Sequence, residues 1–260
     1  MPRFCANLSM LFTELPLLER FAAARAAGFE GVEILFPYDD PVPLMQEQLD
    51  RTGLTLVLIN CPPPNYAGGP RGFAAIPGLE ERFRSDFRRA ARYVAALGAR
   101  HLHVMAGTTE GPEARATFVR NLAWAARAAP RLQLTIEPIN QADMPGYFLS
   151  DFALAVDILQ EVGAPNLRLQ FDAYHAHRIT GDVLATWEEV RPLVAHVQVA
   201  GHPGRHEPEG GEIDYPAFFA CLDADGYGGW VSGEYRPRAD TEAGLAWLRG
   251  PSGPGSPTAA

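Results

Sequence analysis

The sequence predicts an α/β fold, a (β/α)8 TIM barrel in a single domain. Strand-like runs alternate with amphipathic helical segments eight times, and the 260 residues match the length that eight such units need. The segment after the first strand, 9–12, lacks the glycines of a dinucleotide-binding turn, which disfavours an open, doubly wound sheet. We expect the barrel to span 1–249 and the segment 250–260 to be a low-complexity, mobile tail.

The predicted strands and helices alternate along the whole barrel. The strands are expected at 3–9, 31–36, 54–60, 101–105, 132–137, 167–172, 195–199 and 230–234. The helices are expected at 15–27, 43–52, 79–97, 113–128, 150–162, 182–191, 215–225 and 241–249. Several helices end at a glycine, the residue that most readily adopts the left-handed backbone of a C-cap. A loop rich in proline and glycine, 62–78, is a candidate for excluding water from a reaction.

Composition and charge exclude several classes of function. The formal net charge is -9 and no basic run occurs, so a nucleic-acid partner is disfavoured. All 22 cationic side chains are arginines, which excludes any mechanism that needs a lysine, such as Schiff-base or P-loop chemistry. No apolar run approaches the roughly 20 residues that span a membrane. Cys5, Cys61 and Cys221 are spaced too far apart for a metal motif, and without a visible secretory signal we expect a cytoplasmic protein.

Oxygen-bearing side chains lie at the ends of the last four predicted strands, where barrel enzymes place their active sites. Glu137, Asp172 and Glu234 follow three of these strands, and Gln198 lies near the end of the fourth. Three carboxylates and one amide oxygen form a hard-oxygen set, which favours Mg²⁺ or Mn²⁺ over zinc. The sequence therefore predicts one metal site at the mouth of the barrel.

Polar residues also occur two positions before each of these side chains, on the same face of each strand. Both faces of a parallel sheet are normally apolar, so this pattern is unusual. It indicates a hydrogen-bonding layer beneath the metal. The residues concerned are Thr135, Gln170, His196 and Ser232.

The neighbouring loops supply candidate substrate contacts. His175 lies three residues after Asp172 and is placed to bind a substrate oxygen, while Arg205 is a glycine-flanked cation suited to a bidentate contact with a carboxylate. His103 and Glu33 end strands at the same mouth and either bind substrate or line the barrel. Asn7 and Asn60, at two other strand ends, are weaker candidates.

Several motifs resemble those of the hydroxypyruvate isomerase family, and the resemblance extends over nearly the whole chain to about residue 249. The strongest are HVMAG at 103–107, IEPIN at 136–140, HVQVAG at 196–201 and RHEP at 205–208. These motifs do not separate hydroxypyruvate isomerases from the related 2-oxo-tetronate isomerases. The wider superfamily is the xylose-isomerase-like barrel, which also holds ketose 3-epimerases and endonuclease IV.

The resemblance implies a reaction and roles for the strand-end residues. Glu137 and Glu234 would be the proton donor and acceptor, and the metal ligands would be Glu137, Asp172, Gln198 and Glu234. The implied reaction interconverts hydroxypyruvate and tartronate semialdehyde through an enediolate, with a small 2-oxo or hydroxy acid as the partner. Epimerases usually carry histidine at position 198, xylose isomerase needs a lysine, and endonuclease IV needs a histidine-rich zinc cluster, so each is disfavoured.

Alternatives remain open from the residues alone. They are a 2-oxo-tetronate isomerase, another sugar or sugar-acid isomerase or epimerase, a lyase or dehydratase on the same barrel, and a non-catalytic sugar-acid binding protein. The paired glutamates favour catalysis, because a binding protein needs no paired bases. The oligomeric state is open, with a homo-oligomer as one alternative.

Overall fold

The structure is a computed structural model that describes residues 2–61 and 71–249. Within these residues, parallel strands hydrogen-bond in sequence order and close into a barrel, with β1 paired to β8. The strands are β1 (Arg3–Asn7), β2 (Gly31–Ile34), β3 (Thr55–Asn60), β4 (His101–His103), β5 (Gln133–Ile136), β6 (Leu167–Asp172), β7 (Val194–Val199) and β8 (Trp230–Gly233). The predicted TIM barrel is therefore confirmed. The predicted tail, 250–260, and most of the predicted loop, 62–78, lie outside the described residues.

Helices connect these strands on the outside of the barrel. They are α1 (Leu17–Ala26), α2 (Val42–Thr52), α3 (Glu80–Leu97), α4 (Gly111–Ala128), α5 (Phe152–Val162), α6 (Ala173–Thr180), α7 (Val183–Val190) and α8 (Tyr215–Ala224). Gly53, Gly98 and Gly163 end α2, α3 and α5 in the left-handed conformation, as the sequence predicts. None of the helices in the described part of the chain is long and apolar enough to cross a membrane.

Two helix predictions differ from the structure. The predicted helix at 241–249 is wrong, because the segment forms two short 3-10 helices, Glu242–Gly244 and Ala246–Arg249. Its backbone packs closely on the barrel: a Cβ atom at Gly244 would lie 2.5 Å from Oε1 of Glu207, so tertiary contact overrides helical propensity. The prediction also missed α6, which begins directly after β6 because the Asp172 carboxylate accepts the backbone N–H of Tyr174 at 2.8 Å.

The layer between the barrel wall and its helices is apolar and aromatic. The Phe171 ring on β6 packs edge-on against Trp187 of α7, with ring centroids 5.4 Å apart. It also packs against Phe218 of α8, with the rings tilted by 31° and their centroids 5.8 Å apart. This packing leaves the polar side chains of the strands to the inside of the barrel, where they define its chemistry.

Candidate active site

A cavity of about 450 Å³ opens at the carboxyl ends of the strands. Six of the predicted candidate residues line it: Asn60, His103, Glu137, His175, Arg205 and Glu234. The other four are buried around the cavity floor: Asn7, Glu33, Asp172 and Gln198. The structure thus gathers the predicted residues at one end of the barrel and divides them into a lining and a floor.

Strand register places the floor residues beside one another. Asp172 on β6 pairs with Gln198 on β7, and Gln198 in turn pairs with Ser232 on β8, two residues before Glu234. Asn7 on β1 pairs with Glu33 on β2. Paired residues lie side by side on adjacent strands, so Asp172 is next to Gln198 and Asn7 is next to Glu33.

The hydrogen-bonding layer expected beneath the mouth is present around Gln170. Its Nε2 atom donates to Oε2 of Glu137 at 3.1 Å and to Oε1 of Gln198 at 2.7 Å. Its own carbonyl oxygen accepts a hydrogen bond from Thr135 at 3.0 Å. Thr135 therefore orients the Gln170 amide through its oxygen, and Gln170 positions Glu137 and Gln198 through its nitrogen.

Glu33 is the centre of the rest of this layer. Its carboxylate accepts hydrogen bonds from Nδ2 of Asn7 and Nε2 of Gln198, and Nε2 of His196 lies at the same distance, 2.8 Å. Asn7, which the sequence suggested as a substrate contact, has its other amide atom bonded to the backbone N–H of Ser9 at 2.9 Å. Its contacts in the structure are therefore structural, and it lies below the cavity lining.

Arg205 lies between two of the acidic residues. Its Nη2 atom is 3.2 Å from Oδ2 of Asp172 and 3.2 Å from Oε1 of Glu234. Its backbone has a left-handed φ of 56°, an uncommon conformation outside glycine, and its carbonyl accepts the N–H of Arg236 at 2.8 Å. Through Nη2 the guanidinium contacts two protein carboxylates, while its buried Nε atom has no hydrogen-bond partner among the residues that the structure describes. Strained backbone of this kind is concentrated at functional sites.

Both candidate acid–base residues have raised pKa values. Burial raises the pKa of Glu137 well above its ordinary value, and the nearby charges of Glu234 and Asp172 raise it further. Burial also raises the pKa of Glu234, to about 8, although the adjacent Arg205 charge acts in the opposite direction. Such values allow one carboxyl to hold a proton near neutral pH while the other gives one up.

Two buried histidines complete the site, and both are neutral near pH 7. Burial lowers the pKa of His103 to about 3 and holds that of His175 well below its usual range. The Nδ1 atom of His175 lies 2.7 Å from Nδ2 of Asn140 and accepts this amide hydrogen, so Nε2 carries the ring proton. That Nε2 is 4.0 Å from Oε1 of Glu137 and 3.6 Å from Oδ2 of Asp172, which places a hydrogen-bond donor at the cavity wall.

The residues present fit a divalent cation by donor type and charge. Glu33, Glu137, Asp172 and Glu234 are all buried carboxyl groups, and Arg205 is the guanidinium that contacts two of them. Ligand atoms of Glu137, Asp172 and His175 lie within 4.8 Å of one another. Burial is the main cause of the raised pKa values of Glu137 and Glu234, and repulsion from neighbouring carboxylates, which a bound dication would relieve, adds to both.

Sequence reasoning missed a second group of cavity residues. Nη1 of Arg178 lies 2.6 Å from Oδ1 of Asp143 and donates to the Tyr174 hydroxyl at 2.8 Å, and all three side chains line the cavity. Tyr174 and Arg178 are four residues apart on α6, so recognising Asp172 as a helix cap would have placed them on one face. Arg71 and Arg236 also line the cavity, and no sequence signal distinguishes them from surface arginines.

Comparisons with known proteins agree with this architecture. The family model described as "Xylose isomerase-like TIM barrel" matches residues 21–250. A "2-oxo-tetronate isomerase" of Cupriavidus necator is 48% identical, covering 96% of this chain and 98% of the relative. A "Hydroxypyruvate isomerase" of Escherichia coli is 41% identical, and the match covers 95% of this chain and 98% of the relative. A crystal structure titled "AP endonuclease, family 2 from Brucella melitensis" superposes with a TM-score of 0.92 at 45% identity, covering 95% of this chain and 98% of that one.

These matches span nearly the full length of this chain and of each matched protein, and they include the strands that carry the candidate site. The chain belongs to the xylose isomerase-like TIM barrel family and, within it, to the hydroxypyruvate isomerase family.

Proposed function

We propose that the protein is an isomerase that interconverts hydroxypyruvate and tartronate semialdehyde. The observation that carries this proposal is the pair Glu137 and Glu234, two buried carboxyl groups that line one cavity from β5 and β8 and have raised pKa values. The names of the full-length relatives support the same reaction class. A small 2-oxo acid is the partner that this polar cavity suits.

The reaction moves a proton between adjacent carbons of the substrate. One carboxylate removes the proton from C3 of hydroxypyruvate, and a carboxylic acid protonates C2 of the resulting enediolate. We assign the base to Glu234, because Arg205 contacts it and favours its ionised form. We assign the acid to Glu137, because burial and the neighbouring carboxylates raise its pKa well above the ordinary value. Acid or base assistance of this kind contributes roughly 10²–10⁴-fold to the rate.

The proton on the substrate hydroxyl must also move, from the oxygen on C3 to the oxygen on C2. The Nε2–H of His175 faces the two carboxylates from the cavity wall and is the neutral donor placed for a substrate oxygen. Arg205 keeps Asp172 and Glu234 in position, and Arg71 and Arg236 add positive charge to the cavity lining for the substrate carboxylate.

We also propose that Glu137, Asp172, Gln198 and Glu234 hold Mg²⁺ or Mn²⁺. These are hard-oxygen donors, and the excess of buried negative charge at the site supports the assignment. When bound, the ion supplies positive charge that stabilises the enediolate oxygens. The proton transfers themselves are assigned to Glu137, Glu234 and His175.

A 2-oxo-tetronate isomerase is the second candidate, because the C. necator relative that carries this name is 48% identical. The two substrates differ by one carbon and share the same proton transfer. Arg178, held by Asp143 at the cavity wall, is positioned to contact an additional hydroxyl group.

The test is isotope exchange by the purified protein in deuterated water, with hydroxypyruvate or 2-oxo-tetronate as substrate, with and without EDTA. Deuterium entering the substrate carbon, together with the aldehyde product from hydroxypyruvate or the 3-oxo product from 2-oxo-tetronate, would support an isomerase, and the larger kcat/KM identifies the chain length. Absence of exchange with both acids, while both bind, would favour the non-catalytic binding protein.

A further inference from the structure

A cluster of two histidines and one carboxylate lies outside the cavity lining. His177 is in the last turn of α6, while His202 and Glu212 lie in the segment between β7 and α8. None of the three residues lines the cavity or takes part in the proposed reaction. We propose that His177, His202 and Glu212 form a second metal site, selective for a first-row transition ion of the Zn²⁺ type.

The distances agree with tetrahedral coordination. Oε2 of Glu212 is 3.2 Å from Nε2 of His177 and 3.2 Å from Nδ1 of His202. Zinc bonds of about 2.0–2.1 Å in a tetrahedron place neighbouring donor atoms about 3.3 Å apart. All three donor atoms lie within 4.8 Å of one another, so small side-chain rotations bring them around one ion.

The chain holds two of these ligands together before any ion binds. The backbone N–H of Glu212 donates to the carbonyl oxygen of His202 at 2.8 Å. Gly211 makes this approach possible, because a Cβ atom there would lie 2.4 Å from the same carbonyl. The third ligand comes from α6, and its ring lies 4.9 Å from the His202 ring at a tilt of 50°. Little conformational freedom is therefore lost on binding.

Donor type and surroundings both favour a transition ion over Mg²⁺. Imidazole nitrogens suit zinc, copper and nickel, whereas Mg²⁺ prefers oxygen ligands and retains its water. The side chains of His177 and His202 are 17% and 23% exposed and that of Glu212 is 59% exposed, so an ion can enter and keep a water ligand. His177 lies at the C-terminal end of α6, where the helix dipole favours positive charge.

The proposed ion would link α6 to the loop that carries Arg205. That loop runs from the end of β7 to Glu212, and α6 begins directly after Asp172, one of the two carboxylates that Arg205 contacts. The site therefore connects, from outside, two segments that meet again in the cavity. This inference does not depend on the proposed reaction, because metal binding is measured without substrate.

The test compares Zn²⁺ binding by metal-stripped full-length protein and its variants, using calorimetry, together with the visible spectrum of the Co²⁺ form. His177→Ala and His202→Ala should each lose one equivalent of tightly bound Zn²⁺ and the spectrum of four-coordinate Co²⁺. Loss of a residue that only supports a ligand costs about 10–100-fold in metal affinity, so loss of a ligand should cost at least about 100-fold. Glu212→Gln should weaken binding in the same direction.

Matched controls come from the same loop. His206→Ala and Glu209→Gln remove a nearby histidine and a nearby exposed acid that are not in the cluster, and should bind Zn²⁺ as the unmodified protein does. Ions held in the cavity affect all variants equally and cancel in the comparison. Equal Zn²⁺ stoichiometry and affinity in His177→Ala, His202→Ala and the unmodified protein would overturn the proposal and leave a simple His–Glu–His hydrogen-bonded cluster.

Discussion

Replacing Arg205 by alanine tests the electrostatics of the cavity directly. Its guanidinium lies 3.2 Å from both Asp172 and Glu234, whose side chains are 0% and 10% exposed. Removing one partner of a fully buried ion pair costs about 3–5 kcal/mol, because the other charge is left uncompensated. The Arg205 side chain is 21% exposed, and water takes part of its place. We therefore expect the free energy of unfolding to fall by about 1–3 kcal/mol at pH 9.

The loss in free energy of unfolding caused by Arg205→Ala depends on pH in a predictable direction. The pKa of Glu234 is already raised in the folded protein, to about 8, and loss of the Arg205 charge raises it further. A carboxyl whose folded pKa is raised binds its proton more tightly in the native state, so its contribution to stability falls as pH rises from the ordinary carboxyl pKa to the raised one and levels off above it. In Arg205→Ala this fall continues to a higher pH. The loss caused by Arg205→Ala should therefore be larger at pH 9 than at pH 6, where Glu234 is protonated in both proteins.

The assay is urea unfolding at pH 6 and pH 9 in the presence of EDTA, with Arg205→Lys and Arg178→Ala measured alongside. Lysine should recover part of the loss, because it restores the charge without the planar guanidinium. Arg178 pairs at 2.6 Å with Asp143, which is 28% exposed, and its removal should cost no more than about 1 kcal/mol. A loss for Arg205→Ala below about 0.5 kcal/mol at both pH values would refute the reasoning.

Three further predictions concern the catalytic pair, the metal and a buried histidine. Glu137→Gln and Glu234→Gln should each lower kcat for deuterium exchange by roughly 10²–10⁴-fold with little change in KM, and rates within tenfold of the unmodified protein would contradict the assignment. Asp172→Asn should reduce Mn²⁺ content measured by elemental analysis while the circular dichroism spectrum is retained, since asparagine can also cap α6. Burial, with repulsion from His196, lowers the pKa of His101 to about 3, so the native state loses stability as pH falls below about 6.5, where the unfolded histidine takes up a proton. His101→Gln should reduce that loss by up to about 1.4 kcal/mol per pH unit between pH 6 and pH 4, and an unchanged slope in urea unfolding would contradict this.

The sequence predicted those features that depend on local pattern. Each βα unit has its own apolar periodicity, so the eight units of the barrel could be identified one after another along the chain. The strand-end positions of Glu137, Asp172 and Glu234 followed from the same pattern, because parallel strands bring their carboxyl ends to one mouth. Gln170 was also found in this way, two residues before Asp172 on the same face.

Features that depend on distant contacts could not be predicted in the same way. Glu33 bonds to His196 and Gln198, which are 163 and 165 residues away along the chain, and no local pattern relates them. The partners of Arg205 depend on its left-handed backbone, which the residue type does not reveal. The helix α6 was missed because the segment directly after Asp172 was interpreted as a loop.

The contact between Glu33 and Gln198 has a consequence for redesign. Glu33 can only accept hydrogen bonds, so it takes the NH₂ side of the Gln198 amide and turns the carbonyl oxygen toward Gln170. A donor side chain at position 33 would favour the opposite flip and turn the NH₂ group of Gln198 toward Gln170. The proposed cation site would then lose the oxygen donor of Gln198, although position 33 is wholly buried. A residue on β2 therefore sets the orientation of an amide on β7, across the interior of the barrel.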